Sequence, residues 1–171
     1  FQPQTKEELQ TAIDMWVDDN ANALVTFSGI NTWDVSLITD MSDVFNGKSD
    51  FNDDISDWDV SNVVAMNAMF QNATSFNQDL SSWDVSSVTE MANMFQNAIN
   101  FNQQLPNWNV SNVTTMHSMF ANASSFNQDI SNWNVSAVEI MSAVFQNAVN
   151  FDQDLSLWNI SSVQEMPDIF N

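Results

Sequence analysis

Apolar and polar residues repeat along most of this chain with a fixed period. The clearest mark is a tryptophan in every unit, at Trp33, Trp58, Trp83, Trp108, Trp133 and Trp158, each 25 residues after the last. A period of about 20 to 50 residues is typical of repeat proteins, in which each unit packs only against its neighbours. The pattern predicts a solenoid and points away from an enzyme.

Within one unit the pattern predicts a strand followed by a helix. Residues 82–86 alternate, with Trp83 and Val85 facing one way and polar residues the other, as in a half-buried strand. The next apolar positions have helical spacing: Val88, Met91, Met94, Phe95 and Ala98. Successive strands would lie parallel, about 4.8 Å apart, and their crossovers would be right-handed. Each unit is then one short parallel strand and one short helix, in an α/β solenoid.

The residue expected to end each helix is Asn or Gly. Gly47 aligns with Asn72, Asn97, Asn122 and Asn147. Both residue types adopt the left-handed backbone conformation that terminates helices, so we expect a C-cap turn. A ladder of buried side-chain amides remains the alternative. The following Phe76 and Leu80, with their equivalents, should anchor the return segment to the core.

The two ends differ from the middle. Residues 1–29 lack the repeat, and Thr5 with Glu8 begins an amphipathic pattern (Leu9, Ala12, Ile13, Trp16, Val17) that predicts a capping helix. Residues 30–171 form the repeat region of about six 25-residue units. The last unit ends inside its predicted helix, so we expect a C-terminal edge open to end-to-end self-association.

Charge narrows the possible partners. The net charge is -20, the only cationic residues are Lys6 and Lys48, and 13 of the 22 acids lie in residues 1–60. Such a chain repels nucleic acid and anionic lipid head groups. No apolar run approaches the roughly 20 residues of a membrane span, so we expect neither nucleic-acid binding nor membrane insertion.

The string from Phe76 to Ala98 (FNQDLSSWDVSSVTEMANMFQNA) closely resembles the bacterial surface-protein repeat of about 26 residues, which is related to the BspA-type leucine-rich repeats. The resemblance covers residues 30–171. It implies a leucine-rich-repeat-like coil in a secreted or surface-attached protein that serves adhesion or protein binding. It supplies no catalytic residues, and the chain departs from ordinary leucine-rich repeats by using Trp and Val in place of Leu.

One exposed column of residues is the candidate binding site. Its members are Asp34, Asp59, Asp84, Asn109, Asn134 and Asn159. Three aspartates on adjacent strands would repel one another. Three things could relieve this repulsion: a raised carboxyl pKa, hydrogen bonds from the neighbouring serines, or a bound cation. Ca²⁺ is therefore a possible ligand of Asp34, Asp59 and Asp84, and a solvated polar face is the plainer interpretation. A second acidic column, Asp54, Asp79, Gln104, Asp129 and Asp154, has the same two interpretations, and His117 is expected at the surface.

We expect a non-catalytic, extracellular or cell-surface module that binds a protein or glycan through the polar, acidic strand face. A structural spacer within a larger surface protein is the alternative. An ice-binding or cation-binding solenoid is the weaker alternative. Against ice binding, Asp and Asn rather than Thr dominate the columns.

Overall fold

The computed structural model describes residues 1–170, and Asn171, the last residue of the expected repeat region, lies outside the described residues. Among these described residues, regular helix occurs only in the N-terminal segment. Helix α1 spans Lys6–Asp18, α2 spans Asn20–Phe27, and a 3₁₀ turn spans Ile30–Thr32. None of the helices described within 1–170 is long and apolar enough to cross a membrane.

Helix α1 begins as the sequence predicts. The Thr5 side chain accepts a hydrogen bond from the Glu8 amide at 3.2 Å, which satisfies one of the free N–H groups of the first turn. The apolar face of α1 is buried through Leu9, Ala12, Ile13 and Trp16. The prediction of a capped amphipathic helix over this segment is confirmed.

The predicted architecture of the repeats is wrong. After the 3₁₀ turn, each described unit of the repeat region is a coil of consecutive turns with no helix and no named strand, so the chain is neither an α/β solenoid nor a leucine-rich-repeat-like coil. Within residues 30–170 the only ladder pairing between coils is an isolated parallel bridge at one position per unit: Asp40, Ala65, Glu90, Thr115, Ile140 and Glu165. These bridges fall in the segment expected to be helical, and the segment around each tryptophan has none.

Positive backbone φ angles explain why no helix forms. Asn93 and Asn97 both have φ of 59°. Each is the third residue of a four-residue turn closed by a backbone hydrogen bond, from Met94 to Met91 and from Ala98 to Phe95, and a positive φ at this place is the mark of a type II turn. Two left-handed residues only four positions apart interrupt any α-helix. The predicted left-handed conformation at the Asn and Gly column is therefore confirmed, but it shapes a turn instead of ending a helix.

Backbone hydrogen bonds in this segment run to the next coil. The N–H groups of Met91, Asn93, Phe95 and Asn97 donate to carbonyl oxygens of the following coil at 2.7–3.1 Å. In an α-helix the same groups would bond to carbonyls four residues earlier. The polar backbone of each coil is thus satisfied by its neighbour, so consecutive coils lock together in register.

Stacked aromatic rings fill the core. The ring centroids of Phe70 and Phe95 in adjacent coils are 5.5 Å apart, and Phe95 lies 4.0 Å from Phe101 in its own coil. Trp33 stacks on Trp58 at 6.2 Å. The two spacings between adjacent coils, 5.5 and 6.2 Å, lie within the usual range for aromatic pairs and exceed the strand spacing of about 4.8 Å. The interior is therefore a column of large rings in which each coil contacts its neighbours.

Both lysines fasten the capping helix to the first coil. Lys6 of α1 lies 2.9 Å from the Asp40 carboxylate, and Lys48 of the first coil lies 2.6 Å from Asp14 of α1. The Gln10 amide of α1 also donates to the Val44 carbonyl at 3.1 Å. Helix α1 thus packs where a preceding coil would lie, and it covers the polar groups at the N-terminal edge of the first coil.

Candidate functional site

The first candidate site is the exposed column Asp34, Asp59, Asp84, Asn109, Asn134 and Asn159, which we name the Asx column. In every coil the Oδ1 atom of the Asx residue accepts the N–H of the serine two residues later, at 3.0–3.2 Å. This is an Asx turn, which mimics a backbone turn. Because Asp and Asn both carry an Oδ1 acceptor, either residue builds the turn, which explains their exchange along the column.

The serine hydrogen bonds also determine the acidity of the column. The Ser36 and Ser61 hydroxyls donate to Oδ1 of Asp34 and Asp59 at 2.6 Å. Hydrogen bonds from the side chain and then the backbone of the following serine lower the pKa of Asp34 and of Asp84 below the ordinary value. Of the ways to relieve repulsion that the sequence suggests, hydrogen bonds from serine act at these two residues. The alternative of a raised pKa is wrong for them, because the serine donors outweigh the opposing effect of desolvation.

Each Asx side chain has a second polar atom that takes no part in its turn, and this atom faces solvent. The Oδ2 atoms of Asp59 and Asp84 are acceptors with no hydrogen-bond partner within the described chain. The Nδ2 groups of Asn109, Asn134 and Asn159 are donors with none. Only at Asp34 is the second oxygen taken, by the Gln2 amide at 2.7 Å. The column thus changes from hydrogen-bond acceptors to donors halfway along its length.

The second acidic column has the same structural basis. Oδ1 of Asp54, Asp79, Asp129 and Asp154 accepts the N–H of the serine two residues later, at 2.8–2.9 Å. At the junction of the third and fourth units the equivalent residues are Gln104 and Pro106, and proline has no N–H to donate. The acid is therefore absent at the one position where no N–H is available for it to accept.

The structure does not assemble a metal site from the candidate aspartates. Among residues 1–170, no group of three or more His, Asp or Glu side chains is placed to hold an ion. At Asp34, Asp59 and Asp84 one carboxylate oxygen is already committed to the turn. The Ca²⁺ hypothesis for these three residues rested on unrelieved repulsion, and serine donors provide that relief.

His117 lies at the surface, as the sequence predicts. Its Nδ1 atom is 2.8 Å from the Ser142 hydroxyl, and its Nε2 atom is 3.2 Å from the Ser118 hydroxyl. Both serines are buried. The imidazole therefore joins two neighbouring coils as a side-chain bridge.

Sequence reasoning found the Asx column and named serine hydrogen bonds as one way to relieve its charge, but it did not predict the turn that these bonds form. The signal was present as the spacing Asp-x-Ser or Asn-x-Ser, which recurs in every unit. That spacing is typical of Asx turns, but the alternating pattern around each tryptophan favoured a strand. The partners of the two lysines had no comparable signal, since their acids lie 34 positions away in the sequence.

Comparison with known proteins places the repeats in one family. A family model described as "Mycoplasma protein of unknown function, DUF285" matches residues 11–111 and again residues 82–171. No curated protein and no solved structure gave a significant match. The two matches together span most of the capping helix and all of the coils, and the chain belongs to this family of mycoplasma proteins of unknown function.

Proposed function

We propose that the chain is a non-catalytic interaction module of an extracellular or cell-surface protein, and that the Asx column binds a protein or glycan ligand. The observation that carries the proposal is the row of unpartnered polar atoms at Asp59, Asp84 and Asn109, each held in place by its own turn. Turns that fix the side chains reduce the entropy lost when a ligand binds.

The chemistry of the column favours a ligand that both donates and accepts hydrogen bonds. Carboxylate oxygens accept only, whereas the amide Nδ2 groups donate. A sugar hydroxyl or a peptide group can satisfy both, so a glycan or an extended protein segment fits the column. The excess of acids in residues 1–60 adds attraction for a basic partner at the N-terminal end.

Exchanging Asp and Asn tests the proposal, because the exchange keeps the Oδ1 acceptor of the turn and changes only the outward atom. The probes are immobilised glycans and extracellular matrix proteins, with binding measured by surface plasmon resonance. Asp84→Asn and Asn109→Asp should each weaken binding at least fivefold. Asp129→Asn in the second acidic column is the matched control and should leave binding unchanged. Absence of binding by the wild-type chain, or equal effects of all three variants, would reject the proposal.

A structural spacer is the second candidate function. It is favoured by the unbroken stacking of Phe45, Phe70, Phe95, Phe120 and Phe145, which joins consecutive coils into one stiff unit. A spacer predicts that the Asp and Asn exchanges change nothing in the parent protein, whereas removal of one internal coil shortens its reach. Binding that depends on the Asx column would decide against a function as a spacer alone.

A further inference from the structure

A cleft lies where the junction of α1 and α2 meets the first coil. Its volume is about 290 Å³, which leaves room for one long side chain. It is lined by residues of both helices and of the coil: Trp16, Val17, Asn20, Asp50, Phe51 and Asp53. We name this concavity the cap cleft. It shares no residue with the Asx column, so a ligand here is independent of the ligand proposed for that column.

The cap cleft combines buried aromatic residues with two exposed carboxylates. Trp16 and Phe51 are 9% and 3% exposed, whereas Asp50 and Asp53 are exposed. The Trp16 indole donates to Oδ2 of Asp53 at 2.9 Å, which fixes that carboxylate beside the apolar lining. Among residues 1–170, Oδ1 of Asp53 and both oxygens of Asp50 have no hydrogen-bond partner. Three acceptor oxygens are therefore available to a ligand.

The two acids are particular to the first coil. At the place of Asp50 the later coils carry serine or asparagine, and at the place of Asp53 they carry glutamine: Ser75, Asn100, Ser125, Asn150, Gln78, Gln103, Gln128 and Gln153. Three of these glutamines donate to a backbone carbonyl of the preceding coil at 2.8–3.2 Å. In the first coil α1 lies where that neighbour would be, and a carboxylate bonded to Trp16 replaces the amide. The acids of the cap cleft are therefore not a by-product of the repeat.

Within the described residues, neither acid of the cleft is paired with a lysine. Lys48 lies nearby in the sequence, but its Nζ atom is 2.6 Å from Asp14. Lys6, the other cationic side chain, is paired with Asp40 at 2.9 Å. No group of three or more acids or histidines among residues 1–170 is placed to hold a metal ion. The cleft therefore favours an organic cation with an apolar part.

We propose that the cap cleft binds a lysine side chain of a basic partner protein. The carbon stem of lysine packs along apolar surface while its charged end stays near water, which matches buried Trp16 and Phe51 beside the exposed acids. The ammonium group has three donors, equal in number to the free oxygens. Arginine binds best to both oxygens of one carboxylate, and at Asp53 one oxygen is already bonded to Trp16. The net charge of -20 attracts a basic protein to the chain.

NMR titration of the ¹⁵N-labelled full chain tests the proposal, because the indole N–H of Trp16 is bonded to one of the two acids. The probe is the capped peptide acetyl-Gly-Lys-Gly-amide. The Trp16 indole resonance, identified by its loss in Trp16→Phe, should shift saturably, and the resonances of the six repeat tryptophans should not. The same peptide with an acetylated lysine lacks the charge and should not bind, and the arginine peptide should bind more weakly.

Two substitutions introduce residue types that later coils carry at the same positions. Asp50→Asn and Asp53→Gln should each raise the dissociation constant about threefold, the effect of one exposed ion pair, and together about tenfold. Asp129→Asn removes one charge outside the cleft, so it is the matched control and should bind as the wild type does. Unchanged resonances of the repeat tryptophans verify that each variant is folded.

Three results would overturn the proposal. The first is a wild-type chain whose Trp16 resonance shows no saturable shift with the lysine peptide. The second is equal binding of the acetylated or the arginine peptide, because the cleft would then not recognise the ammonium group. The third is equal weakening by Asp129→Asn and Asp50→Asn, because the attraction would then be to the net charge alone.

Discussion

At the scale of single residues, many of the exposed acids accept the hydrogen bonds that form the turns. Each Asx residue provides one oxygen to a serine N–H two positions later, and the same arrangement occurs twice in most coils. The -20 charge of the chain therefore arises partly from residues that shape its backbone. Asp and Asn are interchangeable for this purpose, but Ala is not.

Replacement of Asp84 tests this interpretation. Asp84→Ala removes the acceptor of the Ser86 N–H and should lower the free energy of unfolding by about 1 kcal/mol, the usual net value of one hydrogen bond. Asp84→Asn keeps Oδ1 and should lose less than half of that. Chemical denaturation at pH 7 measures both. Equal losses would show that the charge, and not the turn, matters at this position.

The lowered pKa of Asp84 predicts how these differences depend on pH. Serine donors lower the folded pKa below the ordinary value of 3.8, so the stabilisation by the carboxylate is fully present above that pH. It is lost as pH falls through the folded pKa. The advantage of the wild type over Asp84→Asn should therefore be constant from pH 7 to about 5 and vanish in stronger acid. An advantage that grew in acid would contradict the lowered pKa.

Pro106 has a second consequence within the core. The indole Nε1 groups of Trp58, Trp83, Trp108 and Trp158 donate to a carbonyl of the preceding coil at 2.8–3.2 Å. The buried Nε1 of Trp133 has no partner, and its expected acceptor is the carbonyl of Leu105, directly before Pro106. A proline restricts the backbone of the residue before it, and we attribute the missing hydrogen bond of Trp133 to this restriction at Leu105.

Pro106→Ser should restore this hydrogen bond. A buried donor without a partner costs about 1–3 kcal/mol, and the substitution should recover about 1 kcal/mol of it, because the loss of proline rigidity offsets part of the gain. Thermal unfolding measures the change. The reciprocal variant Ser81→Pro should destabilise the chain by displacing the acceptor of Trp108. A Pro106→Ser variant less stable than the wild type would contradict this account.

At the scale of elements, the sequence predicted which side chains are buried but not the backbone conformation that buries them. Trp83, Val85, Val88 and Met91 are all buried as expected. The spacing between Val88 and Ala98 resembles that of a helix, because a run of tight turns also returns side chains to one side every three or four residues. Helix α1 was predictable because two independent signals, the Thr5 cap and the apolar face, both indicate a helix.

Part of the candidate site was equally predictable. The outward direction of Asp84 followed from the alternation around Trp83. Hydrogen bonds from the neighbouring serine were one of three alternatives, and the sequence alone did not decide among them. The alternative interpretation of the Asn column was a ladder of buried side-chain amides. Such a ladder is present, but at the surface: the Asn97 amide donates to Asn72 Oδ1 at 2.8 Å. Only a backbone that runs in register from coil to coil brings these amides together.

Asn97→Ala distinguishes turns from a helix. In a helix this substitution would stabilise the chain, because alanine is the best helix former. At a φ of 59° it should instead cost about 1–2 kcal/mol. Asn97→Gly should cost less, since Gly47 already occupies the same place in the first coil. Urea denaturation of the three proteins gives the order, and a more stable Ala variant would restore the helical interpretation.

At the scale of the whole molecule, the stability of each coil should depend on its contacts with the coils on either side. Each coil contacts only its neighbours, through backbone hydrogen bonds on one side and stacked rings inside. In such a molecule stability is approximately a sum of unit and interface contributions. A defect in the middle weakens two interfaces, whereas a defect in the last described coil weakens one.

Thermal unfolding of Trp83→Ala and Trp158→Ala tests the stacked column most directly. Trp83 is 1% exposed between two coils, whereas Trp158 is only partly buried in the last described coil. Truncation of a fully buried aromatic side chain costs about 3–5 kcal/mol. Trp83→Ala should therefore lower the melting temperature at least twice as much as Trp158→Ala. Equal losses at the two positions would contradict a column in which each coil is held by its neighbours.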